Sequence, residues 1–183
     1  MYLEISSRKC GKTKRLIEAA LEELFDIEKG YTIHIVTPRD PIYIKDKFWK
    51  MFREKMDGAC VSEKDFKHFR NRVYFETKHE LKSIADRISF SWLHRAFFDD
   101  FDFMQIDAQL GSIQKILLKD AVYWSTVANG YHTHPDFLTR LIEANGGVYS
   151  TAPISKAHIE AEKRLYCGDE KLMDNELKNV FLT

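Results

Sequence analysis

The 183-residue chain lacks an excess of charge, since 28 basic residues balance 28 acidic ones. A neutral chain has no overall electrostatic attraction for nucleic acid or for a membrane surface, so a polynucleotide would have to bind at a local patch. The sequence also lacks an apolar run of membrane-spanning length and a signal-peptide pattern at its N-terminus. We therefore expect a cytoplasmic protein with no membrane partner.

Cysteine is scarce as well. The three cysteines, Cys10, Cys60 and Cys167, are isolated and form no Cys-x-x-Cys pair. This count and spacing exclude a disulfide framework and a zinc knuckle as the basis of the fold. The sequence has no internal repeat and no low-complexity tract, and its length suits one domain with a sizeable core.

The N-terminal region holds the most informative pattern. An apolar run, Met1 to Ile5, leads into the loop Ser6-Ser7-Arg8-Lys9-Cys10-Gly11-Lys12-Thr13. Apolar residues then recur at helical spacing, at Leu16, Ile17, Ala20, Leu21 and Leu24. A strand, a tight loop with Gly-Lys-Thr and a helix in this order are typical of a phosphate-binding P-loop. The pattern departs from the usual form only at Ser6, where the first glycine is expected.

This loop predicts binding of ATP, or another nucleoside triphosphate, together with Mg²⁺. Backbone N–H groups at the start of a helix point at a phosphate, and the helix dipole favours negative charge there. Lys12 would contact the β- and γ-phosphates, and the Thr13 hydroxyl would bind Mg²⁺. The predicted nucleotide-binding residues are Ser7, Arg8, Lys9, Cys10, Gly11, Lys12, Thr13 and Lys14.

Strand-like and helix-like segments alternate along the rest of the chain. They predict a single α/β domain over residues 1–183, a three-layer P-loop NTPase fold with a mostly parallel sheet flanked by helices. Beyond the first strand and helix, strands are expected at 31–37, 72–76, 101–107 and 148–151. Helices are expected at 42–56, 63–70, 80–88, 89–98, 112–127, 135–144, 156–166 and 170–180.

A P-loop site also needs an acid at the carboxyl end of a neighbouring parallel strand, where it approaches the magnesium. Asp107 follows the apolar run around Phe103 to Ile106 and is the predicted catalytic acid and magnesium ligand. Asp99 and Asp100 are expected at the surface before that strand.

The residue after Asp107 is Ala108, where ATP-hydrolysing motors usually carry a Glu that orients or deprotonates water. Glu76, at the end of another predicted strand, or Gln109 could take this catalytic role. Glu76 is equally compatible with a solvated acid at a strand end. The missing Glu weakens the expectation of fast turnover and leaves that of nucleotide binding intact.

The loop from Ser6 to Thr13 resembles that of the large terminases, the ATPases that package DNA into tailed-phage heads. Their loops often lack the first glycine and read Ser-Arg-Gln-x-Gly-Lys-Thr. The resemblance implies that Arg8 acts in cis on the γ-phosphate, and that Ser150 and Thr151 match the segment that senses it. It implies a Mg-dependent ATPase core of the additional-strand, terminase- or helicase-like type. Such a protein would act with DNA or RNA, be of phage or mobile-element origin, and work in the host cytoplasm.

Two other functions stay open. The stretch from Ile106 to Leu110 is similar to the Asp-Glu-Ala-Gln stretch of type II thymidine kinases, which implies a small nucleoside or nucleotide kinase. The first loop glycine and the cysteine-based zinc site of those kinases are missing here. The second alternative is a nucleotide-dependent interaction module that does not hydrolyse ATP, since Ala108 replaces the motor's Glu. A protein partner or a homo-oligomer is compatible with each function.

A basic segment follows the second predicted strand and includes Arg39, Lys45, Lys47, Lys50, Arg53 and Lys55. Aromatic residues are interleaved with these cations, at Phe48, Trp49 and Phe52. Cations with aromatic faces can bind a nucleic-acid backbone and stack on its bases. The favoured interpretation is instead an amphipathic helix whose aromatic residues belong to the core.

Overall fold

The computed structural model describes residues 2–6, 10–38, 40–56, 62–80, 83, 86, 93–100, 122–127, 142–143 and 145–150. The strands among them are β1 (Tyr2–Ser6), β2 (Thr32–Thr37), β3 (Val73–Thr77), β4 (His94–Phe98) and β5 (Val122–Val127). The α-helices among them are α1 (Lys12–Phe25), α2 (Ile42–Met56) and α3 (Glu63–Arg70), and a short 3₁₀ helix spans Lys78–Glu80.

The strands form one sheet in the order β1-β5-β4-β2-β3, and every neighbouring pair is parallel. A sixth segment touches β1 on its other side through a parallel bridge between Glu4 and Ser150. Parallel neighbours need long crossover connections, and helices supply these after β1 and β2. The expected α/β architecture with a parallel sheet is confirmed for the described part of the chain.

One face of the sheet is covered by α1, α2 and α3. Strand side chains from this face, such as Ile33, Ile35 and Phe97, join the helices in one buried cluster. The helix positions expected from periodicity are fully buried, namely Leu16, Ile17, Ala20, Leu21 and Leu24. The opposite face is also buried at Val36, Ala96 and Phe98. Burial on both faces is what central parallel strands require.

Aromatic side chains make up much of this cluster. Phe48 and Phe52 of α2 are 0% and 1% exposed, and each contacts Trp49 edge-on. Burying a Phe side chain stabilises the folded state by about 1.5–3 kcal/mol. These two rings therefore contribute much of the free energy that keeps α2 packed on the sheet. The interpretation of the α2 aromatic residues as core is confirmed.

Two expected helices are wrong where the structure describes them. Residues 94–98 form β4 rather than the end of a helix, and residues 122–127 form β5. Both segments lie inside the sheet, and in β4 the consecutive residues Ala96, Phe97 and Phe98 are all buried, so the strand shows no period-two alternation. A short apolar run of this kind has no periodicity that separates a strand from a buried helix.

Several other expectations fall on residues outside the described part, including the strand at 101–107 and the terminal helices at 156–166 and 170–180. At the predicted strand 148–151, the structure has a single bridge at Ser150. No helix among the described residues is both long and apolar enough to cross a membrane.

Candidate functional site

The site is built around the start of α1. Gly11 precedes the helix with φ +85° and ψ +13°, a left-handed conformation that favours glycine. Its carbonyl accepts hydrogen bonds from the backbone N–H groups of Lys14 and Arg15, at 3.0 and 3.1 Å. The peptide dipoles of a helix point their N–H ends toward its start, so this end of α1 carries partial positive charge.

A hydroxyl and a carboxylate meet at this helix start. The Thr13 hydroxyl donates to Asp99, and its Oγ1 lies 3.0 and 3.1 Å from the two carboxylate oxygens. The two residues are 86 positions apart in the chain. Asp99 directly follows β4, whose carboxyl end lies at the same edge of the parallel sheet as the carboxyl end of β1. Only β5 separates these two strands.

Asp99 is a buried acid. Its exposed fraction is 9%, and loss of hydration on burial raises its pKa from 3.8 to about 6, with the nearby charge of Asp100 adding to the rise. The Thr13 hydrogen bond and the charges of Lys12 and Lys47 act in the opposite direction. The expectation that Asp99 lies at the surface is therefore wrong, because β4 carries it into the sheet edge beneath α1.

Lys12 is the third group at this position. Only 6% of its side chain is exposed, and its Nζ lies 3.8 Å from Asp100 Oδ1. Asp100 is 38% exposed and has φ +46°, a conformation uncommon for a residue other than glycine. A buried ammonium group therefore stands beside two successive carboxylates.

Arg15 joins the loop to β1. Its guanidinium donates to both carboxylate oxygens of Glu4, with Nε 3.0 Å from Oε2 and Nη2 2.5 Å from Oε1. Its Nη1 donates to the Cys10 carbonyl at 2.8 Å. The hydrogen bonds with Glu4 raise the pKa of Arg15 above its usual value, so this side chain is always charged. The Glu4 side chain is 2% exposed and also accepts from the Ser6 hydroxyl.

Glu76 belongs to a separate network of hydrogen-bonded side chains. The Nδ1 atom of His34 lies 2.7 Å from Glu76 Oε2, and its Nε2 lies 2.8 Å from Nδ1 of His94. The His34 ring is fully buried and stacks on Tyr74 at a centroid distance of 5.3 Å. Glu76 is 8% exposed, so it is not the solvated strand-end acid considered above. A catalytic role for Glu76 stays a prediction.

Of the remaining predicted site residues, Ser7, Arg8, Lys9 and Asp107 lie outside the described residues. Cys10 is half-buried beside Arg15, with its Sγ 3.8 Å from Nη2. Lys14 is 64% exposed and pairs with Glu18 at 3.7 Å. Ser150 donates its hydroxyl to the Tyr2 hydroxyl at 2.7 Å, which holds it at the start of β1 rather than at the loop.

Beside the predicted residues Gly11, Lys12 and Thr13, the structure places four residues that the sequence did not assign to a site: Glu4, Arg15, Asp99 and Asp100. The sequence feature that could have identified Asp99 as a site residue is the run Ala96-Phe97-Phe98, which is buried and directly precedes two acids. Chemically, the arrangement offers an anion site at a helix start and oxygen ligands for a hard cation.

Comparison with known proteins adds no family assignment, because no protein-family model matches the chain and no curated protein sequence matches it significantly.

Proposed function

We propose that this chain binds a nucleoside triphosphate with Mg²⁺ at the start of α1 and hydrolyses it, as a three-layer P-loop ATPase of the terminase- or helicase-like type. The observation that carries the proposal is the hydrogen-bonded pair of Thr13 and Asp99 beside Lys12. A Gly-Lys-Thr loop arises by chance in many chains. A loop threonine bonded to a buried acid at the end of a parallel strand is a much more specific arrangement.

The donor set fits Mg²⁺. A threonine hydroxyl and a carboxylate are hard oxygen ligands, and Mg²⁺ is usually held by one or two carboxylates plus substrate phosphates. Among the described residues no group of three or more His, Cys, Asp or Glu side chains could hold a metal by itself. Thr13 and Asp99 would therefore hold the ion together with the nucleotide. When bound, Mg²⁺ neutralises charge on the β- and γ-phosphate oxygens.

Lys12 and Asp100 supply the remaining chemistry in this proposal. The Lys12 ammonium would turn from Asp100 to the β- and γ-phosphates and stabilise the charge that develops during in-line attack by water. Asp100 directly follows Asp99, so a carboxylate stands where ATP-hydrolysing motors carry Glu. Released from Lys12, it would orient the attacking water. With Asp99 as the acid, Ala108 no longer argues against hydrolysis.

The sheet order supports the additional-strand type of ATPase. One strand, β5, lies between the strand that leads into the loop and the strand that ends at the acid. We further propose DNA or RNA as the partner, in a protein of phage or mobile-element origin. The support is four exposed cations of α2, one of which, Lys50, pairs with Glu54: Lys45, Lys50, Arg53 and Lys55. Such cations can bind backbone phosphates without stacking.

The central test compares Lys12→Ala with Lys29→Ala in nucleotide-binding titrations with ATP and Mg²⁺. Both changes remove one ammonium group, but Lys29 pairs with Asp26 beyond the far end of α1. We expect Lys12→Ala to weaken ATP binding about 10- to 100-fold, the effect of losing a charge-assisted contact, and Lys29→Ala to have no effect. Unchanged affinity in folded Lys12→Ala protein would refute nucleotide binding at this loop.

Turnover by the pure protein separates the three functional classes. A nucleic-acid motor releases phosphate faster when DNA or RNA is added, and the stimulation falls steeply with salt. A kinase instead yields a phosphorylated nucleoside or nucleotide and shows little stimulation by nucleic acid. Tight retention of ATP without any product would identify a nucleotide-dependent interaction module.

A further inference from the structure

An ion pair between a partly exposed arginine and a buried carboxylate ties the loop to the first strand, and the proposed chemistry does not use it. Glu4 lies inside β1 with a side chain that is 2% exposed, and Arg15 lies in the first turn of α1. The guanidinium makes a bidentate contact with this carboxylate. Its charge is therefore balanced by Glu4, although it lies close to the start of the helix.

The same guanidinium has a second contact, and this one is with the loop. Its Nη1 donates to the Cys10 carbonyl at 2.8 Å, so one side chain connects β1, the loop and α1. The planar fork of Arg has donors in fixed directions, and Glu4 holds it on two of them. The position of the Cys10 carbonyl is therefore determined by a group anchored in the sheet.

Holding that carbonyl orients the peptide bond that follows it. The described peptide bonds are all trans, and in a trans peptide the C=O and N–H groups point in opposite directions. With the Cys10 carbonyl turned to Arg15, the Gly11 N–H points away from Arg15. Gly11 has φ +85°, and a side chain there would place its Cβ 3.2 Å from Arg15 Nη1. A side chain at this position would therefore require Arg15 to shift by a few tenths of an ångström.

We propose that Arg15 is a positioning residue for the phosphate-binding loop, with Glu4 as its anchor. Arg15 keeps the Cys10–Gly11 peptide in the orientation in which Gly11 N–H can donate to a phosphate oxygen, and it contacts no nucleotide itself. Loop N–H groups bind a phosphate well only when they are already oriented, because ordering them on binding costs affinity. This inference rests on the proposed nucleotide binding.

The test must separate loop positioning from support of the fold. Arg15→Gln alone removes the counter-charge of the buried Glu4 carboxylate, which destabilises the protein strongly. The double variant Glu4→Gln/Arg15→Gln removes both charges, lets the two amides hydrogen-bond to each other, and keeps an acceptor for Ser6. A Gln side chain is too short to hold both position 4 and the Cys10 carbonyl. Urea unfolding and titration with ATP and Mg²⁺ are measured on both variants and the wild type.

We expect the double variant to regain most of the stability lost in Arg15→Gln, while its affinity for ATP stays about 10- to 100-fold below that of the wild type. If affinity returns together with stability, Arg15 only supports the fold and the inference is overturned. Should the double variant not fold, Arg15→Lys replaces it, because a lysine keeps a charge for Glu4 but lacks the fork that also reaches Cys10. Wild-type affinity in Arg15→Lys overturns the inference as well.

A second readout works without nucleotide. The rate at which iodoacetamide modifies Cys10 is followed by peptide mass spectrometry, which separates Cys10 from Cys60 and Cys167. A loop released from Arg15 exposes Cys10, so we expect several-fold faster modification in the double variant or in Arg15→Lys. An unchanged rate overturns the inference. If wild-type protein binds no nucleotide while Cys10 still reacts faster in the variants, the proposed function fails. The role of Arg15 in holding the loop to β1 is then still supported.

Discussion

Replacement of Asp99 by Asn should make the nucleotide-free protein more stable at neutral pH. Burial raises the pKa of Asp99 from 3.8 to about 6. The folded state therefore binds this proton more tightly than the unfolded state does. Stability from this group is fully present below pH 4 and is lost as the pH rises through about 6. Each pKa unit corresponds to about 1.4 kcal/mol, so the ionised carboxylate costs about 3 kcal/mol above pH 7.

Asn avoids this cost and keeps an oxygen that accepts the Thr13 hydrogen bond. We expect Asp99→Asn to raise the free energy of unfolding by about 2–3 kcal/mol at pH 7.5, with little effect at pH 4. Urea unfolding of both proteins, followed by tryptophan fluorescence at the two pH values, measures the difference. All other titrating groups are common to the two proteins and cancel in that comparison.

The reasoning is refuted if the gain is the same at both pH values, or if the variant is less stable at pH 7.5. A second arm of the experiment adds ATP with and without Mg²⁺. Under the proposed function, Mg²⁺ further stabilises wild-type protein with ATP and adds nothing to Asp99→Asn, because the variant lacks the anionic ligand. Functional sites commonly contain groups that lower the stability of the protein until a ligand binds.

Two further predictions concern glycine and the buried histidine. Gly11→Ala and Gly30→Ala each place alanine at positive φ, so each should cost about 1–2 kcal/mol in urea unfolding. Only Gly11→Ala should also weaken ATP binding, because only its Cβ meets Arg15; equal affinities would contradict this. Glu76→Ala should lower the free energy of unfolding by about 2–3 kcal/mol, since buried His34 loses its hydrogen-bond partner. Glu76→Gln keeps a hydrogen-bonding group there and should cost about 1 kcal/mol. Equal losses in the two Glu76 variants would show that the hydrogen bond contributes little.

The local elements around the site were predictable from sequence. The apolar spacing from Leu16 to Leu24 identified α1 and its buried face, and all five predicted positions are fully buried. β2 and β3 could also be predicted from sequence, because each is a short β-rich run with a clear end. The α2 aromatic residues were correctly interpreted as core. All of these features depend on residues close together in the chain.

The acid of the site was not predictable in this way. Asp99 and Asp107 both follow apolar, aromatic runs, and nothing local to either run distinguishes them. Asp99 stands beside Thr13 because β4 pairs with β2 on one side and β5 on the other, in a register that ends β4 at the edge where α1 begins. Pairings over such separations depend on the whole sheet, so no window of sequence contains them.

Sequence alone thus determined a strand, a glycine-lysine-threonine loop and a helix, since propensity and periodicity are local properties of the chain. Tertiary structure decided which carboxylate meets Thr13 and that Asp100 pairs with Lys12. It also decided that Arg15, in the first turn of α1, is held by Glu4. The physical reason is the same in each case. Burial and long-range pairing set the charge partners of a side chain, and neither can be obtained from the residues next to it.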